Sequence, residues 1–115
     1  MVVESFKDFV LEQLDSALQG QYQFSAKKMF GEYCIYVQDM GVQGDNVAKA
    51  IFLLCDDTLF IKQHKILQDI CKNLPLGIPY PNAKEYYMLD VEDSALLKSI
   101  VELVSPILPA PKKRK

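Results

Sequence analysis

The sequence predicts an α+β fold: an antiparallel sheet of about four to five strands with three helices, in the order α-β-β-β-β-α-β-α. Two observations carry this. The spacing of apolar residues is helical at both ends of the chain but gives way over residues 26–62 to short runs rich in β-branched and aromatic side chains. The links between those runs have hairpin length, too short for the crossovers that a parallel sheet requires. With 115 residues, half of them apolar, the chain suits one domain able to bury a core without disulfides or a structural metal.

Val3, Phe6, Val10, Leu14 and Ala17 recur at helical spacing, with Leu11 and Leu18 widening the stripe, so residues 3–19 read as an amphipathic helix. Gly20 is placed to end it, because glycine adopts a left-handed closing conformation at no steric cost. In Tyr33 to Val37 both alternating faces are largely apolar, and Ala50 to Cys55 is apolar throughout, as for strands covered on both sides; the second run should be central. Asp56-Asp57-Thr58 makes a tight link to Leu59 to Lys62, giving a hairpin.

Ile66, Leu67, Ile70, Cys71 and Leu74 share one helical face, which predicts a short helix over about 64–73, stopped by Pro75. Pro75, Gly77, Pro79 and Pro81 mark an irregular stretch. Glu85 to Leu89 reads as a late strand at an edge of the sheet. Asp90, Glu92 and Asp93 place negative charge before a third helix, which carries Leu96, Leu97, Ile100, Val101, Leu103 and Val104 to about residue 105. The expected folded domain is 1–106, followed by a Pro/Lys-rich disordered tail, 107–115.

The formal charge of -2 conceals an asymmetry. Lys112, Lys113, Arg114 and Lys115 sit together in the tail, leaving nine lysines against fifteen acids over residues 1–111, a balance of -6. An acidic body argues against a broad duplex-binding face, and the four tail cations are the candidate nucleic-acid contact, weak and salt-sensitive. Cys34, Cys55 and Cys71 are odd in number and lie in or beside apolar stretches, which suits reduced thiols in a cytoplasmic protein. No run approaches a membrane span, and the first residues do not have the form of a secretion signal.

Motifs for catalysis are missing: no GxGxxG, Walker A, GxSxG, HExxH or EF-hand pattern occurs. His64 reads as solvated at the start of the second helix. Cys34, Cys55, His64 and Cys71 are separated by 21, 9 and 7 residues, which matches no standard zinc spacing. Asp56-Asp57 is explained by turn chemistry rather than by a metal. Expected cofactors, metals and catalytic residues are therefore none. The aromatics Phe30, Tyr33, Tyr36, Tyr86 and Tyr87 could stack on bases, but few basic residues interleave with them beyond Lys27, Lys28 and Lys84, which favours core packing.

At Lys27-Lys28-Met29-Phe30-Gly31-Glu32-Tyr33-Cys34-Ile35-Tyr36 the chain resembles the opening signature of the TfoX/Sxy N-terminal domain family of bacterial proteins, typically R-x-M-F-G-G-Y-G-[IL]-Y. Leu54 to Lys62 is similar to that family's hydrophobic strand, Asp-Asp turn and following strand, and Tyr86-Tyr87 to its late tyrosine pair. The resemblance covers about residues 4–106. Glu32 and Cys34 stand where the family carries glycines. The resemblance implies an α+β fold with an antiparallel sheet and a regulator-like role through protein contacts, as in competence and transcription regulation. Regulators of the family carry a second, helical domain that is not seen in this chain.

The expected function is a non-enzymatic, cytoplasmic binding module with a protein partner, as monomer or homodimer and without a membrane. Met29, Phe30, Gly31, Tyr33, Tyr36, Tyr86 and Tyr87 are the candidate interaction residues. Direct nucleic-acid binding through Lys112 to Lys115, and a small-ligand carrier or enzyme using a cleft between sheet and helices, are the alternatives.

Overall fold

In a computed structural model of the chain, which describes residues 4–29, 32–39, 48–55 and 58–108, the first element is helix α1 (Glu4–Leu18). Val10, Leu14 and Leu18, four residues apart, are buried, with Phe6, Leu11 and Ala17 half-buried beside them. This is the stripe that 3.6 residues per turn dictates. Beyond it Gln19 (φ 51°) and Gly20 (φ 82°) both take left-handed conformations. The Gln19 amide donates to the Asp15 carbonyl at 2.9 Å and the Gln21 amide to the Leu18 carbonyl at 3.0 Å, satisfying groups that a helix end leaves open.

Among the described residues six strands follow: β1 (Tyr22–Met29), β2 (Glu32–Asp39), β3 (Lys49–Cys55), β4 (Thr58–Ile61), β5 (Leu76–Gly77) and β6 (Tyr86–Leu89). They form one sheet in the spatial order β1-β2-β3-β4-β6-β5, each neighbouring pair antiparallel. Ile35, Phe52, Ile61 and Tyr87 are cross-strand partners in one row, and Leu54, Leu59 and Leu89 in the next. These side chains make the sheet's half of the core, while Val10, Leu14 and Leu18 of α1 and Leu97, Ile100, Val101 and Val104 of α2 (Ser94–Val104) supply the other half. The molecule is thus two layers, with helices on one face of the sheet. Asp93 caps α2, its carboxylate accepting from the Leu96 amide at 3.1 Å. The Gln13 side-chain amide donates to the Val91 carbonyl at 3.0 Å, tying α1 to the approach of α2. Past α2, Ser105–Ile107 form a 3-10 turn and Leu108 still packs into the core.

The α+β class and the antiparallel sheet agree with the sequence reading; the element count does not. Among the described residues the sheet has six strands rather than four or five, and there are two α-helices rather than three. The helix expected over 64–73 is a 3-10 turn at Lys65–Leu67 followed by successive turns, with the Leu67 amide donating to the His64 carbonyl and the Cys71 amide to the Leu67 carbonyl, both at 2.9 Å. His64 provides no side-chain cap for this segment. Ten residues without a cap are marginal as a helix, and the chain has to turn back here so that Leu76–Gly77 can lie beside β6. That two-residue strand is the sixth. It was hidden among the prolines, and it moves the edge of the sheet: β6, expected at the edge, lies between β4 and β5. The central placement of residues 50–55 holds, in the third of the six strands.

Candidate functional site

Because side chains alternate across a strand, the residues between those of the core face the other way, away from the helices. Cys34, Leu53, Phe60 and Met88 are cross-strand partners on that outer face, with Tyr36 beside Cys34 and Tyr86 beside Met88. Cys34, Cys55 and Phe60 are nonetheless buried, so the face is not open water. In β3 the register slips between its pairings with Ile35 and Tyr36: Phe52 pairs with Ile35 and Ala50 with Tyr36, leaving Ile51 unpaired as a bulge. Such a bulge bends and re-aims a strand.

Beside it lies a cleft of about 550 Å³, lined among others by Cys34, Leu53, Lys62, His64, Tyr80 and Tyr86. A second hollow of about 520 Å³ shares Lys62, Tyr80 and Tyr86 with the first and is bordered by Asn82, Lys84 and Glu85. Asn82 turns there with φ 70°, and the Ala83 amide donates to the Tyr80 carbonyl at 3.1 Å. The Gln63 side-chain amide donates to the Glu85 carbonyl at 2.8 Å, clamping the end of β4 to the start of β6.

Burial raises the Tyr86 phenol above its ordinary value, and hydrogen bonding with Tyr80 adds to the effect. Burial likewise raises the Cys34 thiol, partly offset by a hydrogen bond with Tyr36; the Tyr36 phenol is raised by burial first and by Cys34 second. His64 is half-buried at the cleft instead of solvated at a helix start, and burial, then the Lys62 charge, lowers its pKa. At neutral pH the site therefore presents protonated phenols and thiol, a neutral imidazole and the Lys62 ammonium, a set suited to apolar contact and hydrogen-bond recognition.

Of the sequence-predicted residues, the structure brings Tyr33 and Tyr86 together in the lining of the cleft and places the others elsewhere. Tyr86 lines the cleft, whereas Tyr87 is buried in the core opposite Ile61 and Leu76. Tyr33 is half-buried against the core with the Lys7 ammonium 5.6 Å from its ring centroid, and Tyr36 has the Lys27 ammonium at 5.9 Å. Met29 ends β1 opposite Glu32. Phe30, Gly31, Asp56, Asp57 and Lys112, Lys113, Arg114 and Lys115 lie outside the described residues. Among the described residues no three His, Cys, Asp or Glu side chains cluster as metal ligands do, and no helix is long and apolar enough to cross a membrane. Sequence reasoning missed Leu53, Lys62 and Tyr80 as site residues. Strand alternation carried the signal for the first two, since Leu53 and Lys62 flank inward-facing positions.

A second feature lies at the edge. Seven large apolar side chains are exposed among the described residues, and five of them, Ile66, Ile70, Leu76, Ile78 and Tyr80, fall within residues 66–80. Ile78 is the most exposed at 60%. Leu76 lies in β5, and Ile78 and Tyr80 follow it closely in the chain. The opposite edge, β1, carries exposed Lys27 and Lys28 in the manner that discourages pairing with another chain, whereas β5 is guarded by its two-residue length and by the flanking Pro75 and Pro79, so its exposed apolar side chains, rather than its backbone, are what it offers a partner.

No protein-family model matches the chain. It is 31% identical over 113 residues, covering 96% of this chain and 87% of the other, to an uncharacterized 12.7 kDa protein in the trpE 5' region of Spirochaeta aurantia. No solved structure matches significantly.

Proposed function

The chain belongs to the same family as the Spirochaeta aurantia protein, and we propose that it is a non-enzymatic, cytoplasmic binding module that recognises a protein partner through the apolar edge formed by residues 66–80. This is the kind of role that its resemblance to the TfoX/Sxy N-terminal domain implies, with regulation of transcription or competence as the process. The concentration of exposed Ile66, Ile70, Leu76, Ile78 and Tyr80 in one segment carries the reading. Apolar side chains scattered singly need no explanation, but five exposed within one short segment are what partner surfaces look like. Three cysteines, all buried and none in a disulfide, fit a reducing compartment.

In this reading the partner surface is the far edge of the sheet rather than the Met29 to Tyr36 signature. Immobilised chain is used to capture partners from nuclease-treated host extract, in parallel with Ile66→Lys and Ile78→Lys variants. A partner retained by the native chain and lost by both variants, with unchanged thermal midpoints, is the expected result. Equal capture by all three refutes the edge, and capture that disappears on nuclease treatment points to the basic tail instead. Sedimentation of the pure protein tests the homodimer: if concentration-dependent dimers form and Ile78→Lys abolishes them, the partner is a second copy.

A further inference from the structure

We propose that the outer-face cleft binds a small amphiphilic carboxylate, its apolar body lying over Cys34, Ile51 and Leu53 and its anionic group held at Lys62 and Lys84. This site is separate from partner recognition by residues 66–80, apart from Tyr80, which borders both.

Size, polarity and charge agree. A volume of about 550 Å³ lies in the range of small-molecule sites, which are apolar with a few placed polar groups. The strand register puts Glu32 and Lys62 at opposite ends of the cleft: on β2 Glu32 lies two residues before Cys34, whose partner Leu53 pairs with Phe60, and Lys62 lies two residues beyond Phe60. An anion is repelled from the Glu32 end and attracted to the other. At that other end the cleft opens, across Lys62, Tyr80 and Tyr86, into the hollow bordered by Lys84. Two ammonium groups face one carboxylate there, that of Glu85, and Lys62 makes no ion pair among the described residues. Tyr80 and Tyr86, hydrogen-bonded to each other, line both hollows, and the pair has one hydroxyl proton left to donate to a ligand. An ammonium beside an open hollow and an apolar trough behind it complement a carboxylate on a hydrocarbon body.

The probes are decanoate, decanol and butyrate, each below any micellar concentration, titrated calorimetrically into the full chain. Decanoate is expected to bind about tenfold more tightly than decanol, the preference that a partly exposed charge-assisted contact gives. Butyrate is expected to bind too weakly to detect. Lys62→Ala combined with Lys84→Ala should erase the preference for decanoate and leave decanol unchanged; both lysines are exposed, so the fold is not at stake. Leu53→Trp, which fills the trough, should weaken both long-chain probes. Backbone amide shifts on adding decanoate should centre on Cys34, Leu53, Lys62 and Tyr86, a readout that stands even if Leu53→Trp does not fold. Equal binding of decanoate and decanol, a preference that survives the double lysine variant, shifts centred elsewhere, or no binding of either long-chain probe would each overturn the proposal. None of these outcomes bears on capture of a protein by residues 66–80, which is read from the Ile66 and Ile78 variants alone.

Discussion

Ile66 and Leu67 are neighbours that a helix over 64–73 would place on one apolar face, and that the 3-10 turn separates: Leu67 is fully buried and Ile66 is 43% exposed. Truncating each to alanine distinguishes the two arrangements. Leu67→Ala removes three carbons from the core, worth about 0.8 kcal/mol each in transfer, and leaves a cavity among the side chains of α2 and the sheet. The loss should be about 3 kcal/mol, a large part of the roughly 5–15 kcal/mol that stabilises a domain. At this chain length that lowers the thermal midpoint by roughly 10 °C. Ile66→Ala touches a side chain that is already largely in water and should change stability by no more than about 0.5 kcal/mol. Urea denaturation with both variants beside the native chain measures the difference as midpoints at constant slope. Comparable losses for the two would refute the turn and restore the helix; a negligible loss for Leu67→Ala would remove the anchor of the segment that carries the proposed partner surface.

Asp93→Ala removes the cap on the Leu96 amide and should cost about 1 kcal/mol in urea denaturation, with Asp93→Ser recovering most of it. His64, held below its ordinary value of 6.5 by burial first and Lys62 second, is protonated more readily in the unfolded chain. Its contribution is therefore fully present above pH 6.5 and is lost as pH falls through and below that value, and His64→Gln should flatten this part of a stability-versus-pH curve. A Cβ on Gly77 would sit 2.8 Å from the Met88 sulfur and 3.2 Å from the Phe60 ring. The sulfur can swing aside but the ring is packed, so Gly77→Val should lower the thermal midpoint more than Gly77→Ala, by about 1–3 kcal/mol of overpacking. Burial raises the Cys34 and Cys71 thiols, so iodoacetamide at neutral pH should label them far more slowly in the native chain than in urea, as read by intact mass.

What the sequence made legible follows from where period and length agree. The terminal helices show through because their stripes run over three turns or more and Gly20 and Asp93 mark their ends. The β3–β4 hairpin shows through because two apolar runs lie close enough in the chain to pair antiparallel. Periodicity fails for Ile66 to Leu74, where i, i+4 spacing fits both a helix and a chain of turns that buries Leu67 and Cys71 alone. The choice is made by a long-range demand, that residues 76–77 reach β6. Two residues of strand between prolines carry no periodicity of their own. Adjacent Tyr86 and Tyr87 illustrate what alternation could have supplied: in a strand one must face the core and the other the cleft. The cleft as a whole was not legible, since Lys62, His64 and Tyr80 join Cys34 and Leu53 only once the sheet order is known.

Amide hydrogen exchange of the chain with and without its captured partner bears most directly on recognition by the apolar edge. Added protection confined to residues 66–80, and absent with Ile78→Lys, is the expected outcome. Protection that leaves this segment unchanged and falls on β1 or on the helices would contradict it.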